Sequence, residues 1–261
     1  MSKALNVAVC QINPTLGNFQ KNIDIISKNY KYAVEKGADL VVFPEMSITG
    51  YPPQDLLNNK EFISQNISCL NELTKSTTIP CIFGYVDFEN NKKFNAAAVC
   101  QDGEIVYKYH KIHLPNYDVF DERRYFHSGD SVGIFDLKVN NSDYKIALQI
   151  CEDLWEDEYE RKISVEIIEN NPDLIINISE DGWFGQSIGP YQHFTKSIFR
   201  AIENNTFLVR SANKGISAII NNKGEIVKKL SSLEAGNIPI EVPLIESKNK
   251  NKNDLIFFIL L

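Results

Sequence analysis

Three strand-like segments of the chain end on a residue that can do acid, base or nucleophilic chemistry. Ile146-Ala147-Leu148-Gln149-Ile150 runs into Cys151, which is followed at once by Glu152 and Asp153. Val41-Val42-Phe43-Pro44 leads to Glu45, and Tyr109-His110 leads to Lys111 ahead of Ile112-His113-Leu114-Pro115. A thiol is a weak nucleophile near neutral pH unless a neighbour takes its proton or lowers its pKa. Attack on an amide carbonyl also needs donors aimed at the developing oxyanion, and a later water attack needs a general base. Glu45 can be that base, Lys111 the cation that holds oxyanion and base together, and Cys151 the nucleophile. The backbone N–H of Glu152 is a natural second oxyanion donor. Each residue also has an ordinary reading: a packed cysteine, a strand-to-turn Phe-Pro-Glu, a lysine near a proline.

Other residues are open to two readings each. Glu122 in Phe120-Asp121-Glu122 is a second site carboxylate orienting Lys111, or a surface ion pair. Glu152 touches substrate or caps the segment after the cysteine, and Asp153 reads as structural. His113 reads as a loop brace and His193 as a structural hydrogen-bond partner. Trp183 and Phe184 wall a pocket or fill a core. No histidine pair has metal-ligand spacing with a third ligand nearby, so no metal is expected, and no glycine-rich phosphate cradle or other cofactor site is seen.

The elements that must place these residues follow from periodicity and turn signals. Strands are expected over residues 7–12, 38–43, 80–87, 95–101, 104–109, 132–137, 144–150, 173–178, 207–211, 216–221 and 225–229. Helices are expected over 19–35, 55–75, 159–169 and 190–204, with Gly37 stopping the first and Pro190 in the first turn of the last. Asp102-Gly103 marks a hairpin. Early strand–helix alternation followed by hairpins suggests an α/β chain with a mixed sheet or two stacked sheets flanked by helices.

The 261 residues are 43% hydrophobic and carry a net charge of −7. This fits one large domain spanning 1–261 with its own core. With no basic patch, nucleic acid and anionic membrane surfaces are not expected partners. Cys10, Cys69, Cys81, Cys100 and Cys151 include no C-x-x-C spacing and are odd in number, pointing to a reduced, cytoplasmic chain. The start lacks a signal pattern. Residues 255–261 are all apolar but fall short of the about 20 needed to cross a bilayer. They read as a final strand, a docking segment or a truncated stump.

The flanks of the three strand exits carry a family resemblance. Gln11-Ile12-Asn13-Pro14, Phe43-Pro44-Glu45, Thr49-Gly50-Tyr51-Pro52-Pro53, Lys111-Ile112-His113-Leu114-Pro115-Asn116-Tyr117, Val119-Phe120-Asp121-Glu122-Arg123-Arg124-Tyr125-Phe126 and Ile150-Cys151-Glu152-Asp153-Leu154-Trp155 resemble the nitrilase, or carbon–nitrogen hydrolase, superfamily. Up to about residue 160 the chain looks like the glutaminase domain of glutamine-dependent NAD synthetase. The resemblance implies a four-layer αββα sandwich that forms homo-oligomers, with Glu45, Lys111 and Cys151 as the catalytic triad. It also implies that Tyr117 binds glutamine. From about residue 175, Asn177-Ile178-Ser179-Glu180-Asp181-Gly182-Trp183-Phe184-Gly185 and Gly189-Pro190-Tyr191-Gln192-His193-Phe194 resemble instead the nitrilase-like domain of apolipoprotein N-acyltransferase, with a join expected between about residues 155 and 176. The positions matching the synthetase family's glutamine-binding serine and lysine are Asp181 and Ser187. With no S-G-G-x-D-S pyrophosphate loop, the synthetase half is expected in a partner or a missing domain. The resemblance implies a glutaminase releasing ammonia from a small amide. Acyl transfer to an amine, or an inert hybrid domain, are the alternatives.

Overall fold

The computed structural model describes residues 4–118, 120–155, 159–182, 185, 187–230 and 236–243. The expected tail segment 255–261, Val119, Trp183 and Phe184 lie outside them. The elements in chain order are β1 (Ala4–Gln11), α1 (Phe19–Glu35), β2 (Leu40–Val42), α2 (Lys60–Lys75), β3 (Cys81–Glu89), β4 (Lys92–Gln101), β5 (Glu104–His110) and the single turn α3 (Glu122–Tyr125). They continue with β6 (Gly133–Val139), β7 (Ser142–Ile150), α4 (Ile163–Asn170), β8 (Leu174–Glu180), α5 (Gly189–Glu203), β9 (Phe207–Asn213), β10 (Ala218–Ile220), β11 (Ile226–Lys229) and β12 (Gly236–Pro243).

Two six-stranded sheets result, ordered β12-β1-β2-β3-β4-β5 and β11-β10-β9-β8-β7-β6. In the middle of each, β1, β2 and β3, and β7, β8 and β9, run parallel. These strands are buried on both faces and mostly apolar, as strands covered on both sides are. One core cluster joins Val7, Val9 and Val42 of the first sheet to Ile146, Leu148, Ile176 and Val209 of the second. The same cluster takes in Ile163 and Ile167 of α4 and Phe194 and Ala201 of α5. On the far side, Ile23, Ile26 and Tyr30 of α1 and Leu70 and Leu73 of α2 pack on Ala8, Phe83 and Ala98. The layers are therefore helix, sheet, sheet, helix: the αββα sandwich. Strands from both sides of the expected join at 155–176 share this core, with β7 and β8 in parallel register from Ile146↔Leu174 to Ile150↔Ile178.

Local chemistry explains most of the boundaries. Asn18 caps α1, its side chain accepting from Lys21 N at 3.2 Å, and Gly37 takes a φ of 77° just past the helix end. Left-handed pairs make the hairpin turns at Asn90-Asn91, Asp102-Gly103 and Asn140-Asn141, the backbone that matches strand twist. The helix expected over 55–75 divides at Asn59. A 3₁₀ turn occupies Gln54–Asn58, and the Asn59 side chain then accepts from Glu61 N at 2.8 Å to start α2. The helix expected from 159 starts at Ile163, because residues 159–161 are used otherwise: the Tyr159 ring stacks on His113 at 3.9 Å and the Arg161 carbonyl lies 3.0 Å from His113 Nε2. The strand β12 was not expected. It contains Pro239 and ends at Pro243, tolerated because it is an edge strand. It lies antiparallel to β1, with Val7 opposite Ile240. Among the described residues no helix is long and apolar enough to cross a membrane.

Candidate active site

The C-terminal ends of five strands meet at one edge of the sandwich. β2 runs into Phe43-Pro44-Glu45, β5 into Lys111 and β7 into Cys151, while β8 ends on Glu180 and β9 on Asn213. Glu45 is carried across Gly84 of β3. A methyl group on Gly84 would overlap Pro44 O, Met46 N and Glu45 Cα. The Gly84 carbonyl then fixes the turn, accepting from Ser47 Oγ at 3.1 Å and Ile48 N at 3.3 Å.

Lys111 is 1% exposed, and its Nζ donates to Glu45 Oε1 at 3.0 Å and Glu122 Oε1 at 2.9 Å. Asn95 Nδ2 donates to the same Glu45 oxygen at 2.6 Å, and Tyr51 OH to the same Glu122 oxygen at 2.8 Å. The second oxygens, Glu45 Oε2 and Glu122 Oε2, are buried with no partner among the described residues. Burial opposes charge on Lys111, but Glu122 and Glu45 outweigh it and hold the ammonium well above the usual lysine range. Burial pushes the Glu122 carboxyl up, Lys111 pulls it down, and Glu45 adds to the rise. Of the two readings of Glu122, the buried carboxylate on Lys111 is the one observed.

Cys151 sits at the first position of a 3₁₀ turn, Cys151–Leu154, with φ at 46°. A left-handed non-glycine residue costs on the order of 1–3 kcal/mol and persists only where its surroundings hold it. Burial raises the thiol pKa well above its usual value, Glu45 raises it further and Lys111 opposes them. Any attack by this sulfur would need a neighbour to take its proton.

Asp153 holds the turn together. Its Oδ1 accepts from Ile112 N at 3.2 Å and His113 N at 2.8 Å, its Oδ2 from Tyr109 OH at 2.8 Å and Ile150 N at 2.9 Å. It thereby fastens the Lys111 strand exit to the Cys151 strand exit. His193 of α5 reaches Cys151 O with Nε2 at 3.2 Å and Asp181 Oδ1 with Nδ1 at 3.3 Å. Both histidines expected to brace do so.

A family model described as Carbon-nitrogen hydrolase matches residues 6–247. The chain belongs to the carbon–nitrogen hydrolase family. It is 41% identical over 156 residues to a glutamine-dependent NAD(+) synthetase of Thermotoga maritima, covering 59% of this chain and 26% of that one. It is 30% identical over 273 residues to apolipoprotein N-acyltransferase 2 of Treponema denticola, covering 94% of this chain and 50% of that one. Among solved structures, the glutamine-dependent NAD+ synthetase of Acinetobacter baumannii superposes with a TM-score of 0.82 at 27% identity, over 92% of this chain and 45% of that one. The chain thus spans half or less of the length of these relatives, and two of the matches run along most of it.

Around the strand-end cluster, the other residues singled out from sequence fall in two places. Tyr117, 38% exposed, donates its OH to Glu152 Oε1 at 3.0 Å, and Tyr159 OH approaches the same oxygen at 3.4 Å. These three residues form one group beside Cys151. Asp181, which the resemblance set at the place of a glutamine-binding serine, is fully buried in a bidentate pair with Arg210, both contacts 2.8 Å. Burial alone would raise the Asp181 carboxyl, but Arg210 and His193 hold it far below the usual range.

Asn95, Tyr51, Tyr109, Asn213 and Arg210 were missed. Arg210 left a signal: a charge directly after the apolar run Phe207-Leu208-Val209, within the expected strand 207–211, needs a counter-charge if it is buried. For metals, Asp87, Glu89 and His110 bring ligand atoms within 4.8 Å of one another. Lys108 Nζ already lies against Asp87 Oδ2 at 3.1 Å and Glu89 Oε1 at 2.7 Å, so that cluster has its cation. A groove of ≈ 820 Å³ between α2 and the β3–β5 edge touches none of the strand-end residues.

Proposed function

We propose that this family member is an amide hydrolase working through a thioester on Cys151, with glutamine as favoured substrate and glutamate and ammonia as products. The observation that carries the reading is the buried Lys111 ammonium, held between Glu45 and Glu122 and within electrostatic reach of the Cys151 thiol. The reaction runs in two halves. Glu45 takes the thiol proton as Sγ attacks the amide carbonyl carbon, while Lys111 and the N–H of Glu152 face the oxyanion. The C–N bond breaks as Glu45 returns the proton to the leaving nitrogen, releasing ammonia and leaving the thioester. Glu45 then takes a proton from water as it adds to the thioester. The C–S bond breaks, the acid departs, and the thiol regains its proton.

Tyr117 and Glu152 are the proposed substrate contacts, Glu152 offering a carboxylate to the α-ammonium of glutamine. Glu122 holds Lys111 in place. The whole is read as a single domain, 1–261, of a cytoplasmic homo-oligomer whose ammonia passes to a synthetase partner or domain. The test is ammonia release from glutamine and from simple amides. Wild type should release it and Cys151→Ala should not; equal release by both would sink the mechanism.

A second reading has one observation in its favour, the match to apolipoprotein N-acyltransferase 2 along 94% of this chain. The same thioester would pass its acyl group to an amine. Incubation with a diacyl phospholipid, followed by mass spectrometry, should then show an acyl group on Cys151; an unmodified peptide counts against it.

A further inference from the structure

His193 belongs to α5 but reaches in to the exits of two strands. Its Nε2 lies 3.2 Å from Cys151 O, after β7, and its Nδ1 3.3 Å from Asp181 Oδ1, after β8. Asp181 is clamped in turn. Arg210 of β9 takes both of its oxygens at 2.8 Å and donates also to Ile216 O at 2.8 Å. The Trp155 ring meets the imidazole edge-on, with centroids 6.0 Å apart. Arg210, Asp181 and His193 are all buried, and a buried chain of paired charges and hydrogen bonds holds its members in one orientation.

The contact with Cys151 O fixes more than a carbonyl. A main-chain carbonyl can only accept, so this contact needs the ring proton on Nε2. The Cys151–Glu152 peptide is planar and trans, so its C=O and its N–H point in opposite directions. With the carbonyl turned to α5, the Glu152 N–H is turned away from α5. Cys151 has φ at 46°, a backbone that persists only where its surroundings hold it. Losing the His193 donor releases one end of that peptide plane, and the direction of the N–H with it.

We propose that His193 is a positioning residue: by donating to Cys151 O it aims the Glu152 N–H at the oxyanion that forms when Cys151 attacks a carbonyl carbon. The proposal rests on the reading of Cys151 as the nucleophile. Asp181 and Arg210 set the ring from behind, so the two residues that the cycle above does not use support its oxyanion donor. Because the contact is to the main chain of Cys151, His193 serves attack on a carbonyl and not the reactivity of the thiol itself. That division of roles is open to experiment.

Two reagents separate the roles, and neither requires the natural substrate. With p-nitrophenyl acetate, Sγ attacks the ester carbonyl and an oxyanion develops. The C–O bond then breaks to release p-nitrophenolate, and the thiol proton passes to the base. With iodoacetamide, Sγ bonds the methylene carbon as iodide leaves, and no oxyanion forms. Acetylation is read as initial p-nitrophenolate release above a Cys151→Ala background, and alkylation by mass spectrometry of the Cys151 peptide. The variants are His193→Phe, His193→Gln and His193→Asn. The glutamine nitrogen reaches about as far as Nε2 and keeps the donor to Cys151 O; the asparagine nitrogen reaches only to the place of Nδ1. Acetylation should fall about 100-fold in the phenylalanine and asparagine variants, the scale of a lost oxyanion donor, while alkylation stays within about twofold of wild type. The glutamine variant should stay within about fivefold of wild type in both reactions. Equal loss in both reactions overturns the proposal and marks a packing role. Unchanged acetylation in the phenylalanine and asparagine variants overturns it too, as does a glutamine variant no better than the asparagine one, or a wild type that the ester does not acetylate. Should melts show the phenylalanine variant unfolded, the two amide variants decide. If wild type is acetylated but releases no ammonia from glutamine or simple amides, the amide hydrolase reading falls, while the ratio of the two rates judges His193 separately.

Discussion

The carboxylate of Asp153 accepts the backbone N–H of His113 at 2.8 Å, tying the turn that carries Cys151 to the segment that carries Lys111. The four donors on Asp153 come from both sides of the site, so its loss separates the nucleophile's turn from the ammonium's strand. Asp153→Asn keeps the shape but turns one oxygen into a donor facing donors. Stability should fall by about 3 kcal/mol, read as a lower midpoint in urea. Amide hydrolysis should fall with it even where the variant is still fully folded. A variant of wild-type stability would show that the four contacts are not holding the turn.

How far this arrangement can be read from sequence depends on whether a residue's role is local. Glu45, Lys111 and Cys151 each follow a strand-like stretch, and strand ends are visible in one dimension. Periodicity leaves a mixed sheet or two stacked sheets open, and the four-layer sandwich is what the family resemblance implies. The strand β12 escaped because Pro239 argues against a strand unless it is known to lie at an edge, and that depends on pairing with β1 more than two hundred residues away. Asp181 and Arg210, 29 residues apart, could not be paired from position alone. Asn95 looks like the start of a small-residue strand, Asn95-Ala96-Ala97-Ala98; only the pairing of β4 on β3, with Asn95 opposite Val86, brings it beside Glu45. Glu122 was balanced between surface and site because a four-residue helix carries too little periodicity to show which face is buried.

Removing the cation tests how Glu45 and Glu122 are kept apart. Lys111→Met leaves two buried carboxylates sharing a space with no counter-charge. Lys111 is the group that lowers the Glu122 carboxyl, so without it that already raised carboxyl rises further. A carboxyl raised in the folded state contributes its stability at pH below its unfolded value and loses it as pH rises through the folded one. Lys111→Met should therefore be near wild type in thermal melts at acidic pH. At neutral pH it should be about 3–5 kcal/mol less stable. Amide turnover should drop by about 10²–10³ if the ammonium faces the oxyanion. A stability loss that is the same at acid and neutral pH would contradict the geometry of the pair.

Glu122→Gln separates positioning from proton transfer. The amide oxygen can still accept from Lys111 and from Tyr51, so the fold should hold. The ammonium loses one of its two charged partners and is less well fixed. The expected outcome is kcat lowered about tenfold with KM unchanged, the pattern of an interaction that matters in the transition state more than in substrate binding. Equal effects on glutamine and on a simple amide should accompany it, because Glu122 acts through Lys111 and not on the substrate's far end.

Tyr117→Phe asks whether the site is built for glutamine or for amides in general. The hydroxyl reaches Glu152 Oε1 at 3.0 Å, and its loss removes the shorter of the two tyrosine contacts to that oxygen. If Glu152 holds the α-ammonium of glutamine, the variant should raise KM for glutamine about tenfold with kcat nearly constant, the signature of lost ground-state binding. Butyramide has the chain and the amide but no ammonium, so its KM should be the same in both proteins. Steady-state ammonia release with the two substrates gives both numbers directly. An equal rise in KM for glutamine and butyramide would mean that Tyr117 shapes the pocket near the reacting amide, and would remove the main structural support for an amino-acid substrate.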